Sequence, residues 1–196
     1  NAISNYPVRS PYRGMLISGR APFKTGVVEN RIILREKGDS FGDVFNKAGY
    51  RTGYIGKWHL GGEDNPRQGI HGFEHFQPWT GTSNHVNSAY WDFGKGSYTR
   101  TKEYNATKMT DQALEYLDRV RNQPFLLMVS MNPPHSRYFD APDRFKALYE
   151  GKTLGQRANF LDQTLRQFAL FDRVNGPPRG LLAGYLAHVS AIDHEI

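Results

Sequence analysis

The stretch from residue 105 to residue 131 constrains the fold more than any other. "NATKMTDQALEYLDRVRNQ" places Met109, Ala113, Leu117 and Val120 on one face, at the three-to-four-residue spacing of an amphipathic helix. "PFLLMVSM" follows at once and is apolar at nearly every position. Such a run suits a central strand of a parallel sheet, covered on both faces. A helix feeding a doubly covered strand commits the chain to an α/β architecture.

The same grammar recurs upstream. In "DSFGDVFNKAGY", residues 39–50, Asp39 or Ser40 is the expected N-cap, Phe41, Val44 and Phe45 the apolar face, and Gly49 the stop. "RTGYIGKWHLGG" follows. Tyr54 and Ile55 read as a short buried strand, and Gly56 opens a loop that carries Lys57 and His59 out of the sheet end. A shorter helix is expected between Pro11 and Gly19, with Met15 and Leu16 turned inward. "GFEHFQPW" can hold a short strand, and the rest of residues 62–105 reads as long loops. A last helix, "GLLAGYLAHVSAIDHEI", is expected to bury Leu182, Leu186, Val189 and Ile196. The chain opens on Asn1 rather than Met and stops inside that apolar pattern, so residues 1–196 read as one domain truncated at both ends.

Charge and composition narrow the function. There is no cysteine, which excludes disulfides, thiolate metal sites and a cysteine nucleophile. The net charge of +6 comes from scattered Lys and Arg, a pattern that disfavours a nucleic-acid partner and suits an anionic substrate. No apolar run reaches the length of a membrane span. Nothing in the pattern reports the oligomeric state.

In open α/β sheets the ligand sits beyond the carboxyl ends of the strands. The Lys57/His59 loop belongs there, and so does "NPPHSRY", where two prolines fix the backbone ahead of His135. Arg13 lies one turn into the first helix. Arg13, Lys57, His59 and His135 together make a set of donors suited to a tetrahedral oxyanion, sulfate or phosphate. At the head of that helix, where a nucleophile would sit, stands Arg9, and a guanidinium stays protonated and cannot attack. His71, His75, His85, His188 and His194 match no metal-ligand spacing and read as core or surface histidines. There is no paired carboxylate set, no Walker loop and no dinucleotide fingerprint. Asn105-Ala106-Thr107 is a formal glycosylation triplet.

These segments resemble a known family. "SPYRGMLISGR" resembles the first sulfatase signature, Cys-x-Pro-x-Arg followed by a helix ending in Thr/Ser-Gly-Arg, and "AGYRTGYIGKWHLGG" resembles the second. "NPPHSRY" is similar to the family's Pro-Pro-His loop, and "RANF" and "YLAHVSAIDHEI" resemble later segments of its catalytic domain. The resemblance implies an alkaline-phosphatase-like fold, a mixed and mostly parallel sheet flanked by helices, incomplete in this chain. It implies an arylsulfatase-like sulfuric ester hydrolase acting on a sulfated small molecule or glycan, in a periplasmic or secreted setting. In the family a cysteine-derived formylglycine hydrate attacks sulfur beside a divalent cation, usually calcium. By position, Arg13 would hold the formylglycine, and Lys57 would bind sulfate. His59 would contact the hydrated aldehyde, and His135 would contact sulfate and protonate the leaving oxygen. Arg9 occupies the formylglycine position, so that modification is not possible here. The family's calcium ligands align upstream of Asn1 and beyond Ile196, and none is recognisable in this chain. The expectation is a sulfatase-family chain inactivated at Arg9. The alternatives are a non-catalytic anion-binding pseudoenzyme, or a phosphatase or phosphonate hydrolase of the same superfamily.

Overall fold

A computed structural model describes residues 4–35, 40–61, 70–80, 83–155 and 178–196. The chain forms two compact units. The first comprises Asn1–Gly81, Ala89–Thr99 and Asp111–Ser130, the second Thr82–Ser88, Arg100–Thr110 and Met131–Ile196. "RANF", residues 157–160, lies outside the described residues.

The first unit holds helices α1 (Arg9–Ser18), α2 (Pro22–Thr25) and α3 (Phe41–Lys47), and strands β1 (Arg51–Lys57), β2 (His75–Trp79) and β3 (Ala89–Asp92). Strand β4 (Ser97–Arg100), helix α4 (Asn105–Val120) and strand β5 (Phe125–Ser130) follow, with residues 105–110 of α4 counted in the second unit. The strand order is β4-β3-β2-β1-β5. β1 runs parallel to both β2 and β5, while β2 meets β3 antiparallel through Trp79 and Tyr90. The sheet is therefore mixed and mostly parallel.

Sequence explains much of this locally. Ser40 caps α3 in a capping box, its side chain accepting from the Asp43 amide while the Asp43 carboxylate accepts from the Ser40 amide. Such a cap contributes about 1 kcal/mol. Gly19, left-handed at φ 66°, ends α1 and donates its N–H to the Met15 carbonyl. One face of β1 builds the core. Tyr54 and Trp58 meet edge-on at 4.9 Å, Trp58 and Phe76 at 5.0 Å, and Tyr54 leans on Phe73 at 5.3 Å. Aromatic pairs of this kind are worth about 0.5–1.5 kcal/mol each beyond their burial. The other face carries Gly53, where an added Cβ would lie 2.8 Å from the Tyr116 ring of α4. That absence of a side chain lets α4 close onto the sheet. On α4, Met109, Ala113 and Val120 are buried as expected, with Leu117 half-buried.

Several expectations are corrected. β1 extends through Gly56 to Lys57, so Lys57 ends the strand rather than riding a loop. β5 lies at the sheet edge among the described residues and is mostly half-buried, not central. Residues 89–100, read as loop, form a short hairpin, β3–β4; strands of four residues are too brief to show alternation in the sequence. Leu16 and Val44 face outward, since Ile17 and Gly14 fill the inner side of α1 and Gly42 that of α3.

The second unit holds a 3₁₀ turn (Tyr138–Asp140), helix α5 (Asp143–Lys146) and the final helix, here α6 (Pro178–Glu195). Its core joins Tyr104, Ala106, Ala141, Phe145, Ala187 and Ala191. α6 turns its small-residue face inward, not the expected leucine–valine face. At Gly184 a Cβ would come within 2.6 Å of the Tyr138 carbonyl oxygen. Backbone contact this close requires Gly and Ala, so Val189 and Ile196 stay exposed and Leu182 and Leu186 half-buried. Asn105 is buried and donates its amide to the Asn84 carbonyl, which argues against the glycosylation triplet. Among the described residues no helix is long and apolar enough to cross a membrane.

Candidate functional site

The first unit gathers polar side chains at the carboxyl ends of β1 and β5, against the N-terminus of α1. Two backbone features set this geometry. Gly56, at φ 115°, pairs with Ser130, and a Cβ there would sit 2.2 Å from the Ser130 carbonyl oxygen. Only glycine permits that approach. Further on, His59 adopts φ 58°, a left-handed conformation costing about 1–2 kcal/mol for a side-chain-bearing residue.

Arg13 ties the three elements together. Its Nη1 donates to the Lys57 carbonyl at 2.7 Å, to Ser130 Oγ at 2.7 Å and to the Tyr54 hydroxyl at 3.4 Å. The Tyr54 hydroxyl itself donates to the Lys57 carbonyl. Burial raises the Tyr54 pKa against the opposing pull of Arg13, so the phenol keeps its proton and remains a donor. Lys57 is almost wholly buried, at 5% exposure.

Ser10 holds His59. The Ser10 side chain is fully buried, its Oγ 2.7 Å from the His59 carbonyl and 2.9 Å from His59 Nδ1, while its amide donates to Asn30 Oδ1. A carbonyl can only accept, so the single hydroxyl proton goes there. Nδ1 must then donate to Oγ, which leaves the lone pair on Nε2. The His59 pKa is lowered to about 4, first by burial and then by the charges of Lys57, Arg9 and Arg13. At neutral pH a neutral imidazole with an unprotonated Nε2 therefore stands among three cations. That field favours an anion. Ser10 itself is spent on these bonds and closed to solvent, so it is not a displaced nucleophile.

His135 lies in the second unit, in the loop after β5. Its ring Nδ1 is 3.2 Å from Ser136 Oγ. Arg13, Lys57 and His59 are thus brought together within one unit, with exposed Arg9 acting electrostatically on His59. Tyr54, Ser130, Ser10 and Asn30 were missed from the sequence. Apart from the Tyr54 bond to the Lys57 carbonyl, three residues on, their partners lie 20 to 117 residues away along the chain, so no local pattern reports them.

The sulfatase family profile matches residues 1–196. The chain belongs to the sulfatase family. It is 28% identical over 202 residues to an ulvan-active sulfatase of Formosa agariphila, covering 100% of this chain and 38% of that protein. It is 35% identical over 170 residues to an endo-4-O-sulfatase of Bacteroides thetaiotaomicron, covering 70% of this chain and 33% of that one. The crystal structure of yidJ from Bacteroides fragilis superposes with a TM-score of 0.81 at 27% identity, covering 100% of this chain and 48% of its own. This sulfatase chain therefore spans less than half the length of each of these relatives. Its sheet is the alkaline-phosphatase-like sheet of the family.

The family's calcium does not fit the residues in hand. Among the described residues no group of three or more His, Cys, Asp or Glu could hold a metal ion. Calcium takes six to eight oxygen ligands, whereas the groups collected around His59 are cationic.

Proposed function

We propose that this chain forms part of a sulfatase catalytic domain whose site receives the sulfate group of a sulfated glycan, and that with Arg9 at the nucleophile position it binds sulfate without cleaving it. One observation carries the reading: His59 is held neutral, its Nε2 lone pair free, in the combined field of Arg9, Arg13 and Lys57. Cations converging at strand ends complement a tetrahedral oxyanion, and charge-assisted hydrogen bonds are about twice as strong as neutral ones. In this reading Lys57 contacts sulfate directly. Arg13 fixes the ends of β1 and β5 and adds charge. His59 offers a proton acceptor. For His135, in the second unit, the role is the one its motif implies, a sulfate contact and, in cleaving relatives, the donor to the leaving oxygen. The ulvan-active and endo-4-O-sulfatase relatives support a glycan as the carrier; a secreted or periplasmic setting is what the family resemblance implies.

Cleavage needs an attacking oxygen at position 9, and a guanidinium has none. The test uses the full-length protein and a panel of sulfated oligosaccharides with their desulfated counterparts. The Arg9 protein should bind the sulfated members, release no sulfate, and lose binding on Lys57→Ala. Arg9→Cys, co-expressed with a formylglycine-generating enzyme, should release sulfate. Equal binding of sulfated and desulfated sugars would overturn the site, and turnover by the Arg9 protein would overturn its inactivity.

A further inference from the structure

The second unit contains a buried polar cluster that the site above does not use. His85 and His188 are both 0% exposed, and their rings lie 4.5 Å apart at 59°. His85 Nε2 is 3.0 Å from the His135 carbonyl oxygen and 3.1 Å from that of Ser136. His188 Nε2 is 3.3 Å from the Arg137 carbonyl oxygen. Carbonyl oxygens only accept, so both Nε2 atoms carry protons. The Nδ1 of His188 then serves as acceptor for the Tyr104 hydroxyl, 2.7 Å away. Two imidazoles in one tautomer thus take up the carbonyls of three consecutive residues, 135 to 137.

Those three residues form the turn that carries His135. Arg137 is left-handed at φ 77°, a conformation its side chain disfavours and the surroundings must hold. Further anchors converge on it. The Arg137 guanidinium reaches Asp140 at 3.0 Å and Asn84 Oδ1 at 2.7 Å, and the His85 amide donates to the same Asp140 carboxylate at 3.0 Å. The charged and titratable groups facing the pair are Tyr104, Asp140, Arg137 and Lys146.

We propose that His85 and His188 are positioning residues: a pair of neutral, Nε2-protonated imidazoles that grip the 135–137 carbonyls and so set the direction of the His135 side chain. The functional consequence rests on reading His135 as a sulfate contact; the grip does not. A proton added to either ring would go to Nδ1. On His188 that site already accepts from Tyr104, and a charge there would face the second ring at 4.5 Å. Burial and the neighbouring His85 accordingly lower the His188 pKa to about 4, so the grip is intact at neutral pH.

Selective ¹⁵N-histidine labelling of the full chain tests this, because two- and three-bond ¹⁵N–¹H correlations report each ring's tautomer. At pH 7 both rings should show the neutral, Nε2-protonated pattern. A charged ring or an Nδ1-protonated one would overturn the proposal without any variant having to fold. His85→Leu or His188→Leu should shift the His135 ring resonances and weaken binding of a sulfated oligosaccharide by about tenfold, the loss of one well-placed hydrogen bond. His85→Gln or His188→Gln, whose amide can donate from the Nε2 position, should restore both. His135 resonances unmoved in folded Leu variants would overturn the grip. If they move while sulfate affinity holds, the grip stands and the sulfate role of His135 falls.

Discussion

Ser10 and His59 show how one hydroxyl decides what a histidine can do. The Ser10 proton is committed to the His59 carbonyl, so the imidazole is left with its lone pair on Nε2. Ser10→Ala removes an acceptor from Nδ1 and a donor from a carbonyl in a buried setting. Leaving such groups unsatisfied costs about 1–3 kcal/mol each, so a drop of that order in unfolding free energy is expected in urea melts. Histidine ¹⁵N correlations should show the Nδ1-protonated tautomer of His59 in the wild type and its loss in Ser10→Ala. An unchanged tautomer would remove Ser10 from the account. A second expectation concerns charge. His59 is held down to about 4 partly by Lys57, Arg9 and Arg13. A bound sulfate would offset those cations, so the His59 pKa should rise when inorganic sulfate is added, as read from an NMR titration. A pKa that does not move would place the anion elsewhere.

At the level of elements, the junction of β1 and β5 depends on a residue with no side chain. Gly56→Ala would place a Cβ 2.2 Å from the Ser130 carbonyl oxygen at a φ of 115°. Neither strand can yield without breaking the Gly56–Ser130 pairing. The expected result is a loss of about 3 kcal/mol or more in unfolding free energy, or failure to accumulate folded protein; a melt within 1 kcal/mol of wild type would contradict it. This glycine was legible only as a turn residue. Its role in the close strand approach depends on Ser130, far along the chain. The same division runs through the molecule. α4 was readable because Met109, Ala113 and Val120 repeat over about three turns, and the N-cap of α3 because Asp39 and Ser40 stand just before its apolar face. The inner face of α6 was not readable. Its Leu and Val residues outrank Gly184, Ala187 and Ala191 in hydrophobicity, yet the Tyr138 backbone accepts only small neighbours. The Arg13 and Lys57 positions could be found from their motifs. The Arg13 bonds to Ser130 and Tyr54 could not, because they form only after the strands are laid side by side.

Across the whole molecule, histidine burial makes acid the weak point of both units. His59 and His75 in the first unit and His188 in the second all have pKa values lowered from 6.5 to about 4. Burial is the first cause in each; the cations Lys57 for His59 and Arg119 for His75 add to it, and for His188 the neighbouring His85 ring, with which it would have to share charge. Above pH 6.5 these rings are neutral in the folded and unfolded chain alike, and they contribute no pH dependence. Between 6.5 and about 4 the unfolded chain binds protons that the folded chain refuses, so unfolding is favoured as pH falls. Below about 4 the folded rings charge as well and the loss levels off. A ring that fully refuses its proton costs up to about 1.4 kcal/mol per pH unit in that window, and less for His59 and His75, which remain partly open to solvent screening. Urea midpoints measured at pH 7, 5.5 and 4 should therefore fall steadily, with little change between pH 7 and 8. His188→Gln keeps the Nε2 donor and removes one titrating ring, so its stability should fall less steeply than that of the wild type over the same range. Equal slopes would mean that His188 takes up its proton in the folded state, and that the pair it forms with His85 does not exclude charge.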